Sequence, residues 1–208
     1  KLPPDLLAII QNPAERKKLV IYINPPYAEA GNARTPQGTG ENKGLVARGS
    51  AMHTRYAPTI GSASNEMYAL FLIRIYKELN GAILGHFSTL KVVLAPNFQR
   101  FREVFQAKLE SLFLIPANTF DNVKGQFPIG FFVWNTGAND TFKQITANVY
   151  YNTKECIAVK EIIAPTERTQ YITSWLTGMK GLKSTIGVLA YTSNDFQNKA
   201  RMRIIDKV

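Results

Sequence analysis

The hydrophobic positions of this chain follow two periods. Leu19–Ile23 is a short apolar run rich in β-branched residues, which predicts a strand buried on both faces. Apolar residues over Asn65–Asn80 recur at helical spacing, with Ser64 as the predicted N-cap and Gly81 just past the end. The same criteria predict helices at Asp5–Gln11, Pro96–Leu109 and Thr169–Thr177, and strands at Ala82–Phe87, Ser111–Ile115, Pro128–Trp134, Gln144–Tyr151, Cys156–Ile163 and Ile186–Tyr191.

The order of these elements predicts the fold class. Over residues 1–136 it is strand, loop, helix, strand, helix, strand, strand. Strands that alternate with helices are typical of an α/β fold with a mainly parallel sheet. The last two strands follow each other directly, so we expect an antiparallel terminal hairpin. The elements after residue 136 cannot be ordered on the sheet from sequence.

A long segment without either period separates the first strand from the next helix. Ala28–Ile60 contains five glycines together with Pro36 and Pro58, and this composition predicts a loop. Loops of this length in compact domains are usually functional or disordered.

The amino-acid composition indicates the number of domains and the kind of partner. The chain has 208 residues, of which 45% are hydrophobic, and this suits one folded domain. Lys and Arg number 25 against 15 Asp and Glu, which gives a formal charge of +10. Such an excess favours a polyanionic partner, because neutralised phosphates release counterions; solubility alone is the alternative.

Cysteine and histidine usage narrows the candidate chemistry. The single Cys156 excludes an internal disulfide, which favours a reducing, cytoplasmic location, and on its apolar strand we expect it to be buried and inert. His53 and His86 lie far apart in sequence without a nearby set of ligands, so no metal site is expected. His86 lies on an apolar strand, where a hydrogen-bonded core residue is expected. No apolar run reaches the ~18 residues of a membrane helix, and no signal peptide is expected.

The first strand ends at a polar tetrad with its own chemistry, Asn24-Pro25-Pro26-Tyr27. In open α/β sheets, ligands bind outside the carboxyl ends of the strands. The two prolines stiffen the backbone and supply no N–H, so the Pro25 carbonyl and the Asn24 side-chain oxygen are two acceptors suited to an NH2 donor. Tyr27 adds a flat ring for stacking. A nucleobase with an exocyclic amine satisfies all three.

The stretch Ile21–Tyr27 resembles the catalytic motif of S-adenosylmethionine-dependent amino-methyltransferases, especially the adenine-N6 DNA methyltransferases of restriction-modification systems. Phe87–Lys91, Pro96–Arg102 and Phe127–Thr136 look like later motifs of those enzymes, in the expected order. The resemblance covers about residues 1–136. It implies that this region is the catalytic, target-base half of a Rossmann-like methyltransferase domain, and that residues 137–208 extend the same domain.

The resemblance also implies a mechanism and a set of site residues. The target adenine is flipped out of duplex DNA, Asn24 and the Pro25 carbonyl accept hydrogen bonds from its amine, and the nitrogen attacks the sulfonium methyl. Pro26 belongs to the same tetrad. Tyr27 would stack on one face of the base and Phe120, or else Phe127, on the other; core packing is the alternative for both phenylalanines. In the predicted loop, we expect phosphate contacts from four basic residues, Arg34, Lys43, Arg48 and Arg55.

The chain departs from the family in its cofactor half. A glycine-rich strand-to-helix turn that would bind S-adenosylmethionine is found neither before the tetrad nor after residue 136. Gly38–Gly44 follows no strand, and Gly178–Ser184 has the wrong spacing for a phosphate loop. The sequence therefore predicts a half-domain completed by a missing segment or another chain. Methylation of a protein glutamine or an RNA base, and a non-catalytic DNA-binding or specificity module, remain alternatives.

Overall fold

The computed structural model describes residues 2–25, 49–120, 125, 127–151 and 155–165, together with the backbone of two strands at 188–191 and 202–205. The chain divides into two compact units, Lys1–Thr166 and Glu167–Val208. The first contains a six-stranded sheet with helices, and the second contains a two-stranded antiparallel sheet.

Helices and strands alternate through most of the first unit. The helices are α1 (Pro4–Gln11), α2 (Ala51–Ile60), α3 (Met67–Glu78), α4 (Lys91–Leu94) and α5 (Gln99–Val104), with 3-10 turns at Arg16–Lys18, Gly61–Asn65, Pro96–Phe98 and Ala117–Thr119. The strands are β1 (Val20–Ile23), β2 (Ile83–Thr89), β3 (Ala107–Pro116), β4 (Pro128–Asn139), β5 (Gln144–Tyr150) and β6 (Cys156–Ile163); in the second unit, β7 (Val188–Tyr191) pairs with β8 (Met202–Ile205). This is a mixed α/β fold, as the sequence predicts.

The sheet of the first unit has the order β1-β2-β4-β3-β5-β6. β1 and β2 are parallel, as are β3 and β5, whereas β4 is antiparallel to both β2 and β3, and β6 is antiparallel to β5. Four strands, β1, β2, β3 and β5, therefore run in one direction. The antiparallel hairpin of β3 and β4 is confirmed, but β4 lies inside the sheet, between β2 and β3, and not at its edge.

The hydrophobic core lies between the helices and one face of the sheet. Residues of α2, α3 and α5 form one buried cluster with alternate residues of the central strands, among them Leu84, Leu112, Phe132 and Trp134. The other face of the sheet carries aromatic rings in contact across strands, which are Tyr22, Phe87, Phe113, Phe131 and Tyr150. The two faces follow from the period-2 alternation of strand side chains.

A buried threonine fastens the end of α3 to the sheet. The Thr136 hydroxyl donates to the carbonyl of Ala82 at 2.7 Å and accepts from the Gly81 N–H at 3.0 Å. Asn80 donates from its side chain to the Thr136 carbonyl. Gly81 has a φ of +105°, a conformation that side chains disfavour, so glycine is required where the chain turns into β2.

His86 is confirmed as a hydrogen-bonded core residue. It is fully buried, its ring stacks on Phe132 at a centroid distance of 5.2 Å, and its Nε2 accepts a hydrogen bond from the Trp134 indole at 3.0 Å. Because Nε2 accepts, the proton of the neutral ring is on Nδ1. Burial lowers the pKa of His86 to about 3, and its Nδ1 has no hydrogen-bond partner among the described residues.

Several predicted boundaries were wrong. The expected helix Asn65–Asn80 begins at Met67, with Glu66 at the N-cap, and the Ser64 hydroxyl lies 3.4 Å from His53 Nε2 and does not cap it. Residues 51–60 of the predicted loop form α2, although Pro58 lies inside it, and Ser50 caps the helix by accepting from the His53 N–H.

The prediction that the first strand is buried on both faces was wrong. β1 is an edge strand of the sheet, and its Val20 and Tyr22 are 73% and 64% exposed.

Two further corrections concern strands. The helix predicted over Pro96–Leu109 ends at Val104, since β3 begins at Ala107 and pairs with β4 along most of its length. Cys156 is exposed and not buried, because its strand, β6, lies at an edge of the sheet with nearly all of its residues exposed. The predicted helix Thr169–Thr177 lies outside the described residues. The strand predicted at Ile186–Tyr191 is confirmed at Val188–Tyr191.

The proposed division at residue 136 stays a prediction. β5 and β6 follow that position and pair into the same sheet as the strands before it.

The pKa of His86 predicts acid sensitivity of the fold. In the unfolded chain the ring binds a proton near pH 6.5, whereas in the folded chain it does so only near pH 3. The free energy of unfolding therefore falls as the pH drops below about 6.5, by about 2 kcal/mol at pH 5 from this group. Urea titrations of wild type and His86→Gln between pH 4 and 8 measure it. The variant, whose amide oxygen can still accept from Trp134, should lose this pH dependence.

His53→Gln is the matched control, because His53 is only partly buried. It should keep the wild-type slope of stability against pH. An identical slope in His86→Gln and wild type would contradict the assignment.

Thr136→Val tests the hydrogen bonds that the Thr136 hydroxyl forms with Gly81 and Ala82. Valine has nearly the shape of threonine but leaves the Gly81 N–H without its hydroxyl acceptor, so we expect a loss of about 2 kcal/mol in urea unfolding. Thr136→Ser keeps the hydroxyl and should cost less, about 0.8 kcal/mol for the lost methyl group. Equal stability of the valine and serine variants would show that the hydrogen bonds of the Thr136 hydroxyl contribute nothing to the free energy of unfolding.

Candidate active site

β1 holds the first two residues of the polar tetrad at its carboxyl end. The strand pairs with β2 in parallel and ends at Ile23, opposite His86, whereas β2 continues to Thr89. Asn24 follows directly and is exposed, and Pro25 is buried. The amide group therefore lies at the open end of the strand, where ligands of open α/β sheets bind.

Chain direction brings other segments to the same end of the sheet. β4 runs antiparallel to β2, so its first residues pair with the last of β2, with Ile129 opposite Thr89. β3 is antiparallel to β4, and its last residue, Pro116, is opposite Pro128. The carboxyl ends of β2 and β3 and the amino end of β4 thus meet.

A cavity of about 820 Å³ opens at this end. It is lined by Asn24, Glu66, Tyr68, Thr89, Leu90, Lys91, Leu94, Ala95, Ala117, Phe120, Phe127, Pro128 and Ile129. Mostly apolar walls with a few polar groups are typical of sites for small molecules or single nucleotides.

Both predicted stacking residues lie on this cavity with Asn24. Phe120 is partly buried, and its ring contacts Phe87 edge-on at 5.2 Å. Phe127 is 44% exposed, and its backbone carbonyl accepts from the Ala117 N–H at 2.9 Å. The structure brings these three residues together, and the stacking role of either phenylalanine stays a prediction.

The polar side chains on the remaining wall form two pairs. Lys91 Nζ lies 2.7 Å from Glu66 Oε1, and the Tyr68 and Thr89 hydroxyls are 3.4 Å apart. Tyr68 is otherwise part of the core, where its ring stacks on Phe98. Glu66 is at the N-cap of α3, where the helix dipole favours a negative charge.

Sequence reasoning did not assign a role to Glu66, Tyr68, Thr89 or Lys91. A signal was present for two of them, since Thr89 and Lys91 follow a predicted strand, as Asn24 does. Glu66 and Tyr68 stand in a helical segment whose pattern indicates only a core-facing helix. Their place on the cavity depends on how that helix packs.

The other predicted site residues divide into two groups. Arg55 is on α2, away from the residues that line the cavity, and its guanidinium contacts Glu78 at 3.0 Å and lies over the Tyr56 ring. A hydrogen bond from Arg74 is the main cause that lowers the pKa of Glu78, and the charge of Arg55 adds to it. Pro26, Tyr27, Arg34, Lys43 and Arg48 lie outside the described residues.

Within the part of the chain that the structure describes, no group of three or more His, Cys, Asp and Glu side chains could hold a metal ion. In the same part, no helix has the length and apolar character needed to cross a membrane.

No protein-family model and no curated protein matches this sequence. Among solved structures, the chain is similar to the type IIG restriction endonuclease BpuSI, with 18% identity and a TM-score of 0.41 over 74% of this chain and 20% of that one. It is similar to a DrdV–DNA complex, with 16% identity and a TM-score of 0.40 over 64% of this chain and 14% of that one. A type I restriction-modification system matches with 18% identity and a TM-score of 0.38, over 62% of this chain and 23% of the other. The chain thus spans less than a quarter of each of these three proteins.

Proposed function

We propose that this chain is the target-base half of a DNA methyltransferase of a restriction-modification system, which transfers a methyl group from S-adenosylmethionine to the N6 amine of a flipped adenine. One observation carries the proposal. Asn24 lies at the carboxyl end of β1, on a cavity that also presents Phe120 and Phe127. An amide acceptor beside aromatic rings suits a planar base with an exocyclic amine.

The residues of this chain act on the amine and on the base plane. The side-chain oxygen of Asn24 and the Pro25 carbonyl accept hydrogen bonds from the two N–H groups of the amine. These bonds orient the amine and draw its lone pair out of conjugation with the ring. The aromatic rings hold the base in the cavity after it leaves the stack. Fixed acceptors of this kind lower the barrier by orientation and by preorganised electrostatics.

S-adenosylmethionine supplies the methyl group in this proposal, but the described residues do not form its cradle. The turn from β2 into α4 contains no glycine, and the positive-φ glycines of the described part, Gly61 and Gly81, are not among the residues that line the cavity. We therefore propose that another segment or chain holds the cofactor, and that isolated residues 1–208 bind it weakly.

Duplex DNA is the proposed macromolecular partner. The formal charge of +10 favours a polyphosphate ligand. Methylation of RNA or of a protein glutamine would use the same acceptor pair, and the assay below separates these substrates.

Replacing Asn24 tests the proposed chemistry. In the protein that contains this chain together with its cofactor half, Asn24→Ala should reduce methyl transfer to duplex DNA on the order of 100-fold, because it removes a preorganised hydrogen-bond partner of the reacting amine. Transfer of a labelled methyl group to DNA, RNA and protein substrates measures it, followed by identification of the methylated base.

Asn12→Ala is the control, since Asn12 is an exposed asparagine at the end of α1 that does not line the cavity. Its activity should equal that of wild type. Full activity of Asn24→Ala would remove the assigned role, and DNA binding by wild type without any methyl transfer would favour a specificity module.

Arg48 and Arg55 test the DNA contact. If both contact phosphates, replacing them together by Ala should weaken binding to all duplex sequences and make the slope of log affinity against log salt shallower by about two units. Fluorescence anisotropy over a salt series measures the slope. Glu78, which pairs with both Arg55 and Arg74, is replaced by Gln in a parallel variant to detect an effect through the loss of these ion pairs. An unchanged slope in the double variant would exclude these contacts.

A further inference from the structure

An ion pair is built into the wall of the cavity beside Asn24. Lys91 Nζ lies 2.7 Å from Glu66 Oε1, and the two side chains are 39% and 8% exposed. Carboxylates are rarely buried to this extent unless they are paired, because burial removes their hydration. The pair joins the start of α3 to the start of α4, directly after β2.

The surroundings of the pair are mostly apolar. Leu90, Leu94, Ala95 and Ile129 share the wall with it. The helix dipole accounts for a carboxylate at the N-cap of α3, but it does not account for a lysine ammonium on the cavity. A packed apolar pair could join the same two helices without burying charge. Lys91 neutralises the buried Glu66 carboxylate, and its ammonium group, on a side chain that is 39% exposed, also lies on the cavity, where it can meet a ligand.

We propose that Lys91 is a specificity residue that donates a hydrogen bond to a ring nitrogen of the target base, and that Glu66 is the positioning residue that holds it. This inference rests on the proposed function. An ammonium carries three N–H donors, so it can bind the Glu66 carboxylate and a ligand at the same time.

With this role for Lys91, the cavity presents both a hydrogen-bond acceptor and a hydrogen-bond donor to the ligand. Asn24 accepts from an amine, and Lys91 donates to an acceptor. Adenine presents an N6 amine next to an acceptor nitrogen on the same edge, whereas guanine has the O6 acceptor and thymine the O4 acceptor in place of that amine. The pair of groups therefore selects an amine that has a ring nitrogen beside it.

Substrate analogues test this contact atom by atom. Wild type, Lys91→Met and Lys91→Arg, each in the protein completed with its cofactor half, are assayed on duplexes whose target adenine is normal, 1-deaza, 3-deaza or 7-deaza. The target site is first located by sequencing methylated DNA. We expect one analogue to slow wild type about 10- to 100-fold, the range for a hydrogen bond to a charged group.

Non-additivity is the decisive result. On normal adenine, Lys91→Met should transfer methyl groups more slowly than wild type by a similar factor. Its rate should not fall further on the analogue that slows wild type. Lys91→Arg should recover part of the wild-type rate. Glu66→Gln should raise KM or lower kcat by a smaller factor, because the lysine remains but is held less firmly. If the pair had only a structural role, Lys91→Met would instead be slower than wild type by the same factor on normal adenine and on every analogue.

Controls separate folding from recognition. Lys108→Met removes a more exposed ion pair on β3, Lys108 with Glu110 at 2.9 Å, that does not line the cavity, and it should leave the rates unchanged. Thermal unfolding checks each variant, and Lys91→Gln replaces Lys91→Met if the latter does not fold. Additive effects of Lys91→Met with all three analogues would overturn this inference alone. Absence of methyl transfer to adenine by wild type would overturn the proposed function and this inference with it.

Discussion

The pairing of β4 between β2 and β3 is the constraint on which the rest of the first unit depends. β4 forms antiparallel ladders with both neighbours, and seven residues of β2, Ile83–Thr89, are paired along the first of these. A reversed strand at this position brings its own amino end to the carboxyl ends of its neighbours. The cavity lies at this place, lined by residues that follow β1 and β2 and by the connection between β3 and β4.

The same strand organises the core. Its residues at alternate positions point to the helical side, and Phe132 and Trp134 contact His86 of the next strand by stacking and by a hydrogen bond. The histidine can be buried there because it is neutral and its Nε2 has a donor partner. Thr136, further along β4, closes the turn that carries the chain from α3 into β2. Side-chain packing and hydrogen bonds thus fix the central strands of the sheet against one another and against the end of α3.

The cavity combines apolar walls with a small number of polar groups, and this division has a physical basis. Apolar walls bind a planar ligand by burial of area, which carries little directional information. Hydrogen-bonding groups in a poorly hydrated site are directional and costly to leave unmatched, so they discriminate between ligands of similar shape. Asn24 and the Glu66–Lys91 pair, in which Lys91 Nζ lies 2.7 Å from Glu66 Oε1, are the polar groups of the cavity for which we propose this second property.

The sequence by itself determined the class of fold and most of the strands, because these depend on short-range patterns. The apolar run of β1 and the β-branched residues of β6 each indicate a strand from local sequence alone, and β6 was predicted with its observed bounds, Cys156–Ile163. Only the tertiary structure decided that β4 lies inside the sheet, that Cys156 is exposed at an edge, and that Glu66 meets Lys91 on the cavity. The physical reason is that strand order and helix packing depend on contacts between residues far apart in the chain, which a local period does not encode.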